Sequence, residues 1–361
     1  MKYRKLGHSG LLVSELALGS VPFAGEAGFE KTGNVDARQA RRFIDIALEQ
    51  GVNTVDTADL YSHGGAEEVI GEALGANRQR IILTSKARSP MSDDPNDSGA
   101  TRYHLIKSCE NSLRRLKTDH IDLYQIHNWD GITSVEETLR ALEELVKSGK
   151  VRYVGTSNYT AWQMMKTLGA AELHQLIKPV SQQIYYTPES REAEFELLPM
   201  ALDQNIGTLI WGPLGEGLLT GTVRRNVKTP PTSRQGNDWP EPYVHSMEHA
   251  YDVIDVLSEV AEEANATTAQ VCLAWLLTRP GITSLLIGSR TEEQLQENLG
   301  AANLTLSETQ RKRIEQVTRP APRYPYWHRF TSGMDRLDPA EKVFLDEYQQ
   351  TLDERKDLDI K

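Results

Sequence analysis

Two hydrophobic periods alternate along the chain. Short runs that are apolar on both faces give way to a polar loop, then to a stretch with apolar residues every three or four positions. Leu16–Leu18, Thr54–Asp56, Ile81–Lys86, Ile121–His127, Val151–Ser157, Val180–Tyr185, Thr208–Trp211 and Ser284–Ile287 read as strands. Helices are predicted over Asp36–Gln50, Ala66–Leu74, Thr101–Leu116, Ser134–Ser148, Thr160–Leu168, Glu192–Gln204, Thr268–Thr278 and Thr291–Ala301. In the first helix Phe43, Ile44, Ile46 and Ala47 share one face. Ser134 followed three residues later by Glu137 is a helix-start signature. Strands alternating with helices imply a parallel sheet covered on both faces. Eight such units over about 300 residues point to an α/β chain closed as a (β/α)8 TIM barrel rather than an open sheet.

Three segments depart from the rhythm. Ala87–Ala100 is polar and holds Pro90 and Pro95. Gly212–Ser246 is long and rich in glycine and proline, a length usual for functional loops; Trp239 and Tyr243 argue against plain disorder. Arg319–Lys361 follows a last helix at Ser307–Val317. Ahead of the first strand, Tyr3–Leu6 and Leu11–Val13 flank His8-Ser9-Gly10 and read as an N-terminal β-hairpin that would plug the barrel's lower end. The expected organisation is a barrel domain over residues 1–318 and a C-terminal extension over 319–361. The extension carries Tyr324, Tyr326, Trp327, His328 and Phe330, which would close a pocket, pack on the barrel wall or meet a partner subunit, then a charged helical stretch from Pro339.

Composition narrows the function classes. With 40 basic and 51 acidic residues the net charge is −11, which argues against a nucleic-acid binder. Two cysteines, Cys109 and Cys272, exclude a disulfide scaffold and read as buried thiols. The basic start soon meets Glu15 and Pro22, and no apolar run is long enough to span a bilayer, so a cytoplasmic location without membrane contact is expected. No G-x-G-x-x-G follows a strand and no His/Cys cluster has ligand spacing, so neither a Rossmann domain nor a metal is expected.

In such a barrel the chemistry lies at the carboxyl ends of the strands. There Asp56, Lys86 and His127 end three successive strands, with Tyr61 just beyond the first of them. Each alone has a bland explanation as a turn cap, a solvated strand end, a core histidine or a packing aromatic. Together they form a coherent set. Burying a charge is costly unless it is paired, so Asp56 and Lys86 are natural partners. A lysine cation favours phenolate and lowers the pKa of Tyr61; at about 4 Å and an effective dielectric near 20 the coupling is about 4 kcal/mol. His127 would donate to a carbonyl oxygen.

The segments GVNTVDTADLYSHGGAEEVIGEAL, ILTSK and IDLYQIHNWD resemble the aldo-keto reductase superfamily, of bacterial type and related to the branch of potassium-channel β subunits. The resemblance covers about residues 1–318. It implies a catalytic tetrad of Asp56, Tyr61, Lys86 and His127, with Tyr61 as general acid, and a reversible reduction of an aldehyde or ketone. It also implies a nicotinamide cofactor. Gly19, Ser20, Asp56, Ser157, Asn158 and Gln183 match positions around the nicotinamide, and Trp211 stands where an aromatic, usually Tyr, stacks on it. Gly212, Pro213, Leu214, Gly215, Gly217 and Leu218 resemble the pyrophosphate loop, with Gly212 where Ser is commoner; Gln182 replaces a commoner Asn. Gly288, Ser289, Arg290, Gln294, Glu297 and Asn298 resemble the adenosine site. Arg290 would fork onto a 2′-phosphate, favouring NADPH over NADH. Val21, Phe23 and Trp129 are candidates for the substrate wall. The alternative class is a cofactor-sensing regulatory subunit with little turnover; a sugar-phosphate isomerase on the same barrel would need no Tyr-Lys pair.

Overall fold

The computed structural model describes residues 1–345 apart from 232 and 238. The hairpin pairs β1 (Tyr3–Lys5) with β2 (Leu12–Ser14). Eight parallel strands follow: β3 (Leu16–Gly19), β4 (Thr54–Asp56), β5 (Ile82–Ala87), β6 (Ile121–Ile126), β7 (Val151–Ser157), β8 (Ser181–Tyr185), β9 (Gly207–Trp211) and β10 (Ile282–Ile287). They close in sequence order, with β10 bonded to β3. The TIM barrel expected from the alternation is therefore the observed fold.

Around it lie α1 (Ala37–Glu49), α2 (Gly65–Leu74), α3 (Arg102–Arg115), α4 (Val135–Lys147), α5 (Ala161–Leu173) and α6 (Leu197–Asp203). Then come α7 (Met247–Ala264), α8 (Thr268–Thr278), α9 (Glu292–Gly300), α10 (Glu308–Thr318) and α11 (Tyr326–Ser332). Local chemistry starts these helices where the sequence says it should. Asp36, Thr101, Ser134 and Thr291 each cap a helix by accepting from a backbone N–H three residues on. Two helices depart from expectation, α11 and α7; α7 occupies the gap between Ser246 and Thr268. It buries Ala250, Val253, Ile254, Leu257 and Ala261, spaced as one helical stripe.

The main core lies between the outer face of the barrel and the helices. A second cluster fills the amino-terminal end. There Leu6 and Val13 of the hairpin segment pack with Ala17, Leu123, Val180, Leu209 and Leu286 of the barrel wall. The hairpin thus plugs the barrel from below, as its position suggested. The extension packs on the barrel's outside: Tyr326 lies 5.1 Å from Phe195, with Leu345 in the same cluster. For Tyr326, barrel-wall packing is the alternative realised. The charged stretch from Pro339 is described only to Leu345; its remainder and the side chain of Phe330 lie outside the described residues. Among the described residues no helix is long and apolar enough to cross a membrane.

The plug depends on one glycine. Gly7 has φ +58°, and a Cβ there would collide with the Val180 carbonyl oxygen and crowd the Gly207 nitrogen. Gly7→Ala is expected to lower stability by about 1–3 kcal/mol, through the left-handed backbone and the clash together. Chemical denaturation measures this, with Gly10→Ala, whose Cβ meets nothing, as the neutral control.

Candidate active site

The strand ends at the open face carry a continuous polar network. Lys86 Nζ, fully buried, lies 2.5 Å from Asp56 Oδ2 across the β4–β5 step. It also donates to the Thr57 carbonyl at 2.8 Å and to the Tyr61 hydroxyl at 3.3 Å. Asp56 Oδ1 accepts from the Thr84 hydroxyl and, at 3.0 Å, from Gln183 Nε2 on the far side of the barrel. Tyr61 opens a one-turn 3₁₀ helix, Tyr61–Gly64, in which Ser62 and His63 take positive φ. That turn brings the phenol back over β5, with Lys86 Nζ 5.0 Å from the ring centre. His127 meets the Tyr61 ring edge-on at 5.8 Å. The four residues singled out from the sequence therefore converge.

Burial pushes the Tyr61 hydroxyl above its ordinary pKa; the Lys86 charge pulls it down but does not prevail. This corrects the expectation of a net lowering: the cost of desolvating a phenolate exceeds the attraction of the cation. Burial would push Lys86 down, yet Asp56 and then Tyr61 hold it above its usual value, so it stays charged. Burial, with the charges of Lys86 and Arg88, pushes His127 down to about 3. Its ring is thus neutral near pH 7, and its buried Nδ1 has no partner.

The residues compared with a nicotinamide site line the same face. Trp211 Nε1 donates to Asn158 Oδ1 at 2.8 Å, and Asn158 Nδ2 donates to the His127 carbonyl at 3.1 Å. Ser157 donates to the Gln183 carbonyl at 3.1 Å. Tyr185 packs against Trp211 with ring centres 4.8 Å apart. Gly212 takes φ +57°, and a Cβ there would stand 3.3 Å from the Tyr185 ring. Glycine therefore suits this backbone better than the commoner serine. Cys272 donates to the Pro213 carbonyl, tying the loop of Gly212 to Leu218 down onto α8.

Beyond β10, the strand next to β9, Thr291 caps α9 and the Arg290 N–H donates to Gln294 at 2.9 Å. Ser20 and Ser289 each hold a buried hydroxyl without a partner. Glu297 and Asn298 both lie on α9, Asn298 buried.

Three side chains near the site were not assigned to it from the sequence. Phe29 stands 5.9 Å from Tyr61, and Trp239 stands 6.3 Å from Phe29. Arg234, from the long loop, ion-pairs with Glu216 and donates to the Thr32 carbonyl at 3.4 Å. Burial and the nearby Arg290 charge press Arg234 down to about 10. Two arginines from distant segments thus face one region. The usable signal was the aromatic content of the long loop; nothing local identifies Phe29.

Two substrate-wall candidates behave differently from expectation. Phe23 is wholly buried and packs on Phe43 of α1, so it is a core residue. Trp129 turns to Tyr159 and Trp162, at 5.1 and 5.7 Å. Val21, half-buried, gives its carbonyl to the Thr32 hydroxyl. Among the described residues no cluster has the make-up of a metal site.

The depressed His127 has a consequence for stability. Below about pH 6.5 the unfolded chain binds a proton at this position that the folded chain refuses until about pH 3. Stability contributed by His127 is therefore present above that window and lost as the pH falls through it. His127→Gln is expected to make the acid decline shallower by about one proton, measured by urea denaturation at pH 7 and pH 4.5.

Comparison with known proteins agrees with this geometry. The sequence profile of the aldo/keto reductase family matches residues 15–319. An uncharacterized oxidoreductase of Bacillus subtilis, YrpG, is 36% identical over 317 residues, covering 85% of this chain and 92% of its own. A probable voltage-gated potassium channel subunit beta of Arabidopsis thaliana is 33% identical over 91% of this chain and 100% of its own. A putative aryl-alcohol dehydrogenase of Schizosaccharomyces pombe is 32% identical over 89% of this chain and 96% of its own. With the barrel closed and the profile spanning nearly all of it, the chain belongs to the aldo/keto reductase family, and its role is that of an oxidoreductase.

Proposed function

We propose that the protein is an NADP(H)-dependent carbonyl reductase acting reversibly on an aldehyde or ketone, with Tyr61 as the proton donor. The single observation that carries this reading is the Asp56–Lys86–Tyr61 chain, in which a buried ammonium donates to a phenol at 3.3 Å. Proton donation needs Tyr61 protonated beforehand, which its raised pKa provides. The Lys86 cation then stabilises the charge that develops on the phenol oxygen as the proton leaves. Neutral His127 offers a hydrogen bond to the substrate oxygen without adding a charge. Phe29 and Trp239 form the wall beside Tyr61 and limit water there.

The residues present fit a nicotinamide dinucleotide. Trp211 and Tyr185 offer an aromatic platform; Ser157, Asn158 and Gln183 surround it with amide and hydroxyl groups. Gly19 and the orphaned Ser20 border it, and the loop Gly212-Pro213-Leu214-Gly215 with Gly217 and Leu218 provides backbone for phosphates. Gly288 and the orphaned hydroxyl of Ser289 precede the α9 N-terminus, where free N–H groups favour an anion. Arg290, joined by Arg234, suits a 2′-phosphate, with Gln294, Glu297 and Asn298 toward the adenine. When bound, the reduced cofactor supplies the hydride that the carbonyl carbon receives.

The relatives named as potassium channel β subunits favour a second reading, a cofactor-sensing subunit with little turnover. The two readings separate in one assay, the loss of NADPH absorbance with a panel of aldehydes and ketones. The reductase reading expects turnover that Tyr61→Phe lowers by about 10²–10⁴-fold, with cofactor binding intact. Tight NADPH binding by tryptophan quenching without turnover across the panel would support the sensor instead. Arg290→Ala is expected to raise the KM for NADPH by about tenfold or more while leaving that for NADH unchanged, the loss of a charge-assisted contact.

A further inference from the structure

The tip of β5 carries a second charge that the Lys86 network does not use. Along β5, Ala87 joins the outer core while Lys86 turns into the mouth of the barrel. Arg88 follows directly. It sits beside the backbone of His127, whose N–H donates to the Ala87 carbonyl at 3.0 Å. Arg88 takes φ +145°, a conformation that residues with side chains rarely adopt, and the Gly99 N–H holds its carbonyl at 2.8 Å. Backbone outliers of this kind persist where the surroundings over-determine them, and they cluster at ligand sites.

The guanidinium is the anomaly. Arg88 is half-buried, its Nε is enclosed without a partner, and among the described residues its side chain forms no hydrogen bond or ion pair. Arg191 and Arg279, enclosed elsewhere in the fold, both hold Glu194, at 2.9 and 3.1 Å. The acid of the neighbouring loop is occupied. Asp130 accepts from the Ala100 and Ile132 N–H groups and from the Thr133 hydroxyl, at 2.7, 2.8 and 2.7 Å. The Arg88 charge reaches His127, which it helps to keep neutral, and Tyr159. Only Nε is shut off from solvent, so the two terminal nitrogens stay open. A charge drawn partly out of water is costly unless it is paired.

The missing partner is a planar anion, because the guanidinium fork matches the two oxygens of a carboxylate. We propose that Arg88 recognises a carboxylate on the substrate, so that the preferred substrates are aldehydes or ketones bearing that group. This rests on the reductase reading, in which His127 meets the carbonyl oxygen. The two terminal nitrogens make the contact, Nε being out of reach. Arg88 is then a specificity-determining residue: it fixes the far end of the substrate while Tyr61 and His127 hold the carbonyl end. Lys86 cannot take this part, since its three hydrogens already have acceptors. Glu241, the acidic group that acts on Tyr61 from the long loop, has Arg234 to offset it.

Steady-state kinetics of the full chain with NADPH test this on two matched pairs. One is 4-carboxybenzaldehyde against 4-carbamoylbenzaldehyde, the other 5-oxopentanoate against pentanal. In at least one pair kcat/KM is expected to favour the carboxylate by about tenfold or more, chiefly through KM. Arg88→Met should bring that ratio close to one, and Arg88→Lys, which keeps the charge but loses the fork, should restore part of it. A purely structural role for Arg88 would lower both members of a pair alike and leave the ratio unmoved. Absence of turnover with every carbonyl would sink the reductase reading alone. Calorimetric binding of benzoate and benzamide to the NADP+-loaded protein then decides the role of Arg88, with a preference for benzoate that Arg88→Met abolishes as the expected result. The proposal is overturned by equal kcat/KM within both pairs, by a carboxylate preference that survives in Arg88→Met, or, without turnover, by benzoate binding no better than benzamide.

Discussion

The buried ion pair of Lys86 and Asp56 is the constraint on which the open face of the barrel depends. An ammonium has three hydrogens, and here each has one acceptor: a carboxylate, the Thr57 carbonyl and the Tyr61 hydroxyl. Asp56 is satisfied in turn from β5 by Thr84 and from β8 by Gln183. A charge sunk this deep is tolerable only when every such contact is present, and removing one partner of a buried pair typically costs about 3–5 kcal/mol. The strand register that places Asp56 opposite Thr84 is therefore tied to the position of the phenol. Fold and site are held by the same contacts.

The two ends of the barrel answer different demands. At the lower end, apolar side chains of the hairpin meet apolar side chains of four strands, and a glycine lets the backbones touch. At the upper end the strands finish in polar groups, and long segments arch over them. Residues 26–32 and the loop after β9 meet there through Arg234, Asn237 and Trp239. Burial in this region sets the protonation states: it keeps His127 neutral and Tyr61 protonated, while Asp56 keeps Lys86 charged.

The regular part of this architecture was legible because period and capping act locally. Thr54–Asp56 and Val151–Ser157 were readable to the residue, and Ser134 marked its helix start. The stripe of α7 was also present in the sequence, but it lies after a proline-rich loop and breaks the expected one-helix spacing between strands. The four polar residues at strand ends were legible since position along a parallel strand dictates which end faces the mouth. The wall around them was not. Phe29 and Trp239 meet only because two loops about 200 residues apart fold onto each other. Phe23, the aromatic nearer to the strand in sequence, turned inward because α1 offered Phe43 as a packing partner. The net effect of burial on Tyr61 likewise depended on how completely the phenol is enclosed, which the sequence does not display.

The contact between Trp211 and Asn158 bears on how far the aromatic at that position is interchangeable. The indole N–H reaches Asn158, and the same amide reaches the carbonyl of His127, so the tips of β9, β7 and β6 are lashed together by two hydrogen bonds. Phenylalanine would keep the ring but leave the lashing open at its first knot, with an amide oxygen bereft of its donor. The tryptophan is thus held in place by a tether as much as by its breadth, and the shape of the mouth is inherited from a single nitrogen.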